Sequence, residues 1–224
     1  MSDHVRYAIY YLPPAGPLAR FGAAWLGWDV DRGVAVAQPP VAGIEAFTAT
    51  PRKYGFHGTL KPPFRLADGC DVGALHAAVA RLAAGRPLVE IAALVPGALG
   101  HFLALVPRGE AEGLHALAAA CVADLDGFRA PAGAAEMDKR RKAGLTERQE
   151  AMLQRWGYPY VFDEFRFHMT LTGRMEPDAL ARVQAEVEAR LPDLPEPYVI
   201  DEIALAGERP DGMFETVHRY TLAG

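Results

Sequence analysis

One four-residue pattern occurs twice in this chain, at matched places in two matched halves: His57-Gly58-Thr59-Leu60 and His168-Met169-Thr170-Leu171. Each copy lies in a run that reads as a β-strand. Successive side chains of a strand point to opposite faces, so His57 and Thr59 share one face while Phe56, Gly58 and Leu60 share the other. In the second copy Arg166, His168, Thr170 and Thr172 line one face, with Phe167, Met169 and Leu171 behind them. A helical pattern and two strands follow each copy: Leu88 to Val95 and Phe102 to Val106 after the first, Tyr198 to Ala206 and Phe214 to Leu222 after the second. Ala93-Leu94 comes 36 residues after the first histidine, and Ala204-Leu205 comes 36 residues after the second. The chain is therefore an internal duplication of a strand-helix-strand-strand unit, each copy presenting an imidazole and a hydroxyl side by side on a rigid element.

The rest of the sequence reads as scaffold. Pro17 opens a helix with Leu18, Phe21, Gly22, Trp25 and Leu26 at helical spacing. Asp71 caps a second, with Val72, Leu75, Val79 and Leu82 inward and Gly85 as its stop. Leu114, Leu117, Cys121, Val122 and Leu125 mark a third, and Pro177 opens a fourth with Leu180, Val183, Val187 and Leu191 inward. These stripes are core positions. No glycine-rich phosphate loop follows a strand and opens a helix, which weighs against a kinase or a dinucleotide enzyme. Two cysteines, Cys70 and Cys121, are too few for a disulfide framework. A formal charge of −5 weighs against general nucleic-acid binding. No apolar run reaches the roughly 18 residues of a membrane span, and the N-terminus lacks a signal-peptide layout, so a cytoplasmic location is expected.

The two His-x-Thr motifs, with the opening strand and turn Val5-Arg6-Tyr7-Ala8-Ile9-Tyr10-Tyr11-Leu12-Pro13, resemble the 2H phosphoesterase superfamily over about residues 5 to 222. The stretches Lys53-Tyr54-Gly55-Phe56-His57-Gly58-Thr59-Leu60-Lys61-Pro62-Pro63-Phe64 and Trp156 to Tyr160 through Phe165 to Thr172 look like a branch whose members are often encoded beside phosphonate-breakdown genes. The resemblance implies an α+β, bilobal fold of internally duplicated strand-helix-strand-strand units, with two antiparallel sheets flanking a central cleft. Residues 1–224 would then form one bilobal domain. Its first-motif lobe would span about 54–107, its second-motif lobe about 162–222, and a helical insert about 130–160.

Paired imidazoles suit in-line displacement at phosphorus, one taking a proton from water or a ribose hydroxyl and the other giving one to the departing oxygen. The expected rings face each other, their nitrogens roughly 5 to 8 Å apart. Thr59 and Thr170 are placed to donate to phosphoryl oxygens. Arg166 and Lys61 fall in strand phase with the histidines as phosphate ligands provided neither strand bulges; Pro62, which can end its strand and turn Lys61 away, makes Arg166 the stronger candidate. Tyr54, Tyr158 and Tyr160 are candidates for the organic part of the substrate. In the insert, Thr146 and Gln149 read as a capping box, and Gln149, Met152, Leu153 and Trp156 as one helical face; Arg140 and Arg141 precede it either as cations for a lid over the cleft or as a solvated charge run on a packed helix. His4, His76, His101, His115 and His218 read as structural or surface residues. The expected function is metal-independent opening of a nucleoside or ribose 2′,3′- or 1,2-cyclic phosphate, with no cofactor and a small phosphodiester or nucleotide as partner. A metal site would need at least three protein ligands, and no His-x-Glu or Glu-x-x-His grouping accompanies either motif. The alternatives are a non-catalytic phosphometabolite-binding module, an accessory protein of phosphonate catabolism, and a 2′-5′ RNA ligase-like activity.

Overall fold

A computed structural model of the chain describes residues 4–142 and 144–224. The elements run β1 Arg6–Tyr11, α1 Pro17–Leu26, β2 Trp28–Asp29, β3 Val34–Ala35, α2 Ile44–Arg52, β4 Gly58–Phe64, α3 Val72–Ala84, β5 Val89–Ile91, β6 Ala93–Leu99, β7 Phe102–Arg108, α4 Glu112–Asp124, α5 Ala134–Arg141, α6 Glu147–Trp156, β8 Met169–Thr170, α7 Pro177–Glu188, β9 Tyr198–Ile200, β10 Glu202–Glu208 and β11 Phe214–Thr221. The four scaffold helices form where apolar spacing placed them. Asp71 accepts the Ala74 amide at 2.8 Å as the cap of α3. The insert folds as two helices, and the Thr146–Gln149 box at the start of α6 is present in both directions.

The fold is α+β, and seven strands lie in one antiparallel sheet in the order β11-β10-β1-β4-β8-β7-β6. The two expected sheets are thus its two flanks, joined by the single pairing Gly58↔Met169 between β4 and β8. Gly58 and Met169 are equivalent residues, each following its own histidine. Beside the main sheet, β5 and β9 pair through Val89↔Ile200, again equivalents, each four residues ahead of the matched Ala93 and Ala204. Both self-equivalent pairings lie on the pseudo-two-fold axis of the duplication.

That axis corrects the expected lobe boundaries. The runs 88–95 and 198–206 are not single strands: each breaks after a short piece, at Ala92 and Asp201, and the chain crosses the axis there. Hairpin β6–β7 consequently pairs with β8, while β10–β11 joins β1 and β4. Each flank therefore combines one histidine motif with the hairpin of the other repeat, and contiguous spans 54–107 and 162–222 do not describe them.

One main core unites both halves, running from Ile9, Tyr11 and Leu60 through Leu75, Leu105 and Leu114 to Met169, Ile200 and Leu205. The opposite face of β1 and β10 carries a smaller cluster around Tyr10, Trp28, Ala206 and Phe214, with Tyr54 against it. Trp25 of α1 donates its indole N–H to the Leu171 carbonyl at 2.9 Å, tying the N-terminal helix to the second motif. No helix among the described residues is long and apolar enough to cross a membrane.

Candidate active site

Extended by one residue either way, the Gly58↔Met169 register sets His57 opposite Thr170 and Thr59 opposite His168. Directly opposed side chains on one face stand about 5 Å apart, and the diagonal neighbours His57 and His168 roughly 7–8 Å. The four groups thus form a quartet about the pseudo-two-fold axis, each imidazole facing the other motif's hydroxyl. Cavity linings agree: one of about 210 Å³ has His57 and Thr170 on its wall, and one of about 370 Å³ has His168 and Thr59. Phe102 borders both cavities, its ring centroid 5.7 Å from that of His168.

Both rings are fixed by their own backbone. The Nδ1–H of His57 donates to the Gly55 carbonyl at 2.9 Å, and that of His168 to the Arg166 carbonyl at 2.8 Å. A carbonyl can only accept, so each Nδ1 carries the proton and each neutral Nε2 is left as the basic atom. Nε2 of His57 accepts from the Thr59 hydroxyl at 3.0 Å. Gly55 makes its contact from φ 71°, where an added Cβ would come 2.5 Å from Val30. The His57 ring lies on Tyr10, centroids 3.8 Å apart, with Tyr54 at 6.1 Å. Burial pushes its pKa down to about 4; the Gly55 carbonyl opposes this weakly, and the charge of His168 adds to it.

Arg166 is exposed at the larger cavity, next to His168 and Thr59. Tyr158 and Tyr160 line that cavity too, their rings edge to face at 5.7 Å, and Arg140 lies 4.7 Å over the Tyr158 ring. Tyr54 lines the smaller cavity. Two sequence candidates fall elsewhere. Arg141 turns away into an exposed ion pair with Glu150 at 2.8 Å and contacts Asp138 at 3.3 Å. Lys61 is the second correction. The β1–β4 register runs Tyr10↔Thr59 and then Ile9↔Lys61, so Leu60 is an extra residue in a bulge. Neighbours on β1 face opposite sides, so Lys61 lies across the sheet from Thr59. Its side chain is 2% exposed, and the ammonium donates to the Val122 carbonyl at 3.0 Å, 3.5 Å from Asp126. Thr172, in phase with His168, likewise serves the fold: its hydroxyl accepts the Leu103 amide and donates to the Gly173 carbonyl.

Sequence reading missed Phe102, Tyr10 and Glu164. Phe102 and Tyr10 belong to strands whose apolar residues read as core, and Glu164 sits in a short 3-10 turn with no periodic signal. Lys61→Met should lower stability by about 1–3 kcal/mol, since the Val122 carbonyl loses its donor, and leave kcat of any turnover unchanged. Urea unfolding with steady-state kinetics checks this; a collapse of kcat at unchanged stability would return Lys61 to the site.

Among the described residues no group of three or more His, Cys, Asp or Glu side chains is arranged to hold a metal ion. A family model described as "Protein of unknown function (DUF1045)" matches residues 59–215. The chain is 40% identical over 188 residues to "Ribose 1,5-bisphosphate phosphokinase PhnN" of Janthinobacterium sp. (strain Marseille), covering 81% of this chain and 40% of that protein. A protein of the same name from Laribacter hongkongensis (strain HLHK9) is 37% identical over 196 residues, covering 84% and 45%. The chain therefore spans less than half the length of these curated relatives. A solved structure of E. coli LigT complexed with 3'-AMP superposes with TM-score 0.44 at 16% identity, covering 99% of both chains.

Proposed function

The chain belongs to the DUF1045 family of proteins of unknown function, and from that premise and the site geometry we propose that it is a phosphodiesterase opening a small cyclic phosphodiester by two-histidine acid–base catalysis without a metal. The observation carrying this reading is the self-equivalent Gly58↔Met169 pairing, which brings two imidazole–hydroxyl pairs face to face across one axis.

In the proposed reaction His57, kept neutral by burial, takes a proton from water on Nε2 as the water oxygen bonds to phosphorus. The bond from phosphorus to one ring oxygen breaks, and that oxygen takes the proton of the His168 imidazolium. Thr59, Thr170 and Arg166 hold the phosphoryl oxygens, where charge accumulates. Tyr54, Tyr158, Tyr160 and Arg140 border the organic part. The curated relatives' name concerns a ribose bisphosphate. A ribose cyclic phosphate is therefore the favoured substrate, in a phosphonate-linked role. No step resembling the kinase activity in that name is assigned to this chain, which has no glycine-rich loop between strand and helix.

A chelator-treated screen over ribose and nucleoside cyclic phosphates tests the reading. Expected is hydrolysis that survives chelation, with a bell-shaped pH profile whose acid limb in kcat/KM has a midpoint near 4, the value to which burial lowers His57. The same group shapes stability. The unfolded chain takes up this proton near the ordinary 6.5 and the folded chain only near 4, so stability falls as pH drops from 6.5 toward 4, by roughly 3 kcal/mol in all. His57→Gln should remove that component of acid sensitivity. Activity regained only with added zinc or manganese would discard the proposal.

A further inference from the structure

The lining of the larger cavity includes one acidic group, Glu164, besides Thr59, Arg166 and His168. It comes from the 3-10 turn Phe162–Glu164, just ahead of the second motif. The three residues of this turn are each gripped by α6. Phe162 packs its ring on Trp156 with centroids 4.9 Å apart, Asp163 takes both Arg148 nitrogens at 2.9 and 3.0 Å, and Glu164 Oε2 accepts from Gln149 Nε2 at 2.8 Å. Phe162 is the one non-glycine residue at positive φ among those described, at 54°. A bulky side chain is strained in that region, and such strain persists where surrounding contacts over-determine the backbone.

The Gln149 amide is itself locked, because its Oε1 accepts the Thr146 N–H at 3.1 Å in the capping box. Gln149 therefore presents its NH₂ to Glu164 in one orientation. The carboxylate keeps further lone pairs on both oxygens, and among the described residues no cation stands within ion-pair distance of it; Arg148 on α6 acts on it at longer range, its guanidinium bonded to Asp163. A half-buried carboxylate of this kind repels a phosphate and accepts hydrogen bonds from neutral donors. Tyr158, Tyr160, Phe102 and Leu99 supply apolar wall around it, a surface suited to the C–H face of a sugar.

We propose that Glu164, held by Gln149, is the specificity-determining acceptor for the free ring hydroxyl of a sugar cyclic phosphate bound between His57 and His168. The assignment rests on the phosphodiesterase reading of the same site. It makes the insert more than a cover, because α6 positions the group that reads the sugar.

The test is equilibrium binding to the His57→Ala protein, calorimetrically, of ribose 1,2-cyclic phosphate and its 3-deoxy counterpart. Ribose should bind about 10- to 100-fold more tightly, as expected for a hydrogen bond to a charged group. Adding Glu164→Gln should bring the two affinities within about twofold of each other, the deoxy sugar binding no more weakly than before because the repulsion of its phosphate is gone. The glutamine keeps an acceptor for the Gln149 amide, so the turn is preserved, and a near-UV circular dichroism spectrum matching the parent's verifies it. Equal binding of the two sugars, a preference that survives Glu164→Gln, or binding of neither overturns the proposal. Chelator-resistant, His57-dependent hydrolysis of both sugars at equal kcat/KM would overturn it while leaving the phosphodiesterase reading intact.

Discussion

Alanine at His57 or at His168 is expected to lower kcat for cyclic phosphate hydrolysis by about 10² to 10⁴ each, and alanine at both to cost far less than the product of the single losses. In the proposed reaction the two rings serve one displacement from opposite sides of the phosphorus. Once either proton transfer is lost, the remaining imidazole has no concerted step to assist. KM should change little, because Arg166 and the two threonines remain to hold the phosphoryl group. The protein should stay folded: each ring is half-buried, and its principal bond is to a carbonyl two residues away, which solvent can satisfy. Initial rates for the two single variants and the double variant, beside their thermal unfolding curves, check this. Fully multiplicative losses would mean that the histidines act in separate steps. Unchanged kcat in either single variant would remove that residue from the chemistry.

The residues of the quartet were legible because a strand's alternation and a duplication are both properties of one sequence read against itself. His57, Thr59, His168 and Thr170 needed no long-range information to be placed on common faces. Their mutual arrangement did. It depends on β4 and β8 meeting at Gly58 and Met169, and no local pattern marks a pairing of so few residues between distant segments. The same holds for the exchange of hairpins between flanks. Breaks at Ala92 and Asp201 interrupt runs that each read as one mostly apolar strand, and the β5–β9 pairing on the axis accounts for the change of sheet there. Lys61 fell on the wrong side because strand phase propagates only until the first bulge, and the bulge at Leu60 comes one residue after Thr59. Arg140 and Arg141 are adjacent in sequence and equally basic, yet one lies on Tyr158 and the other is neutralised by Glu150, a partner nine positions away across the turn between α5 and α6.

Gly58 is the point at which fold and site depend on each other most closely, and Gly58→Ala is expected to damage both. A Cβ there would stand 2.4 Å from Cε2 and 2.5 Å from Cζ of the Phe167 ring, whose far edge reaches the glycine from the second motif. Phe167 is itself buried, so the ring cannot swing clear, and overpacking of this kind costs about 1–3 kcal/mol. The cheapest relaxation is to part β4 from β8, which are joined here by one pairing. That movement separates His57 from Thr170 and Thr59 from His168, and a misplacement of about 1 Å in such a site can cost 10²-fold in rate. Expected, then, are a melting temperature lower by several degrees and a kcat lower by at least about 10². Phe167→Leu on the same background frees the space above residue 58 and should recover most of the lost rate, although by itself it leaves a cavity and destabilises modestly. Steady-state rates and melting curves for the two single variants and the pair decide the matter. If Gly58→Ala keeps its rate and its melting temperature, or if Phe167→Leu fails to rescue it, the crossing of the two strands does not set the spacing of the histidines.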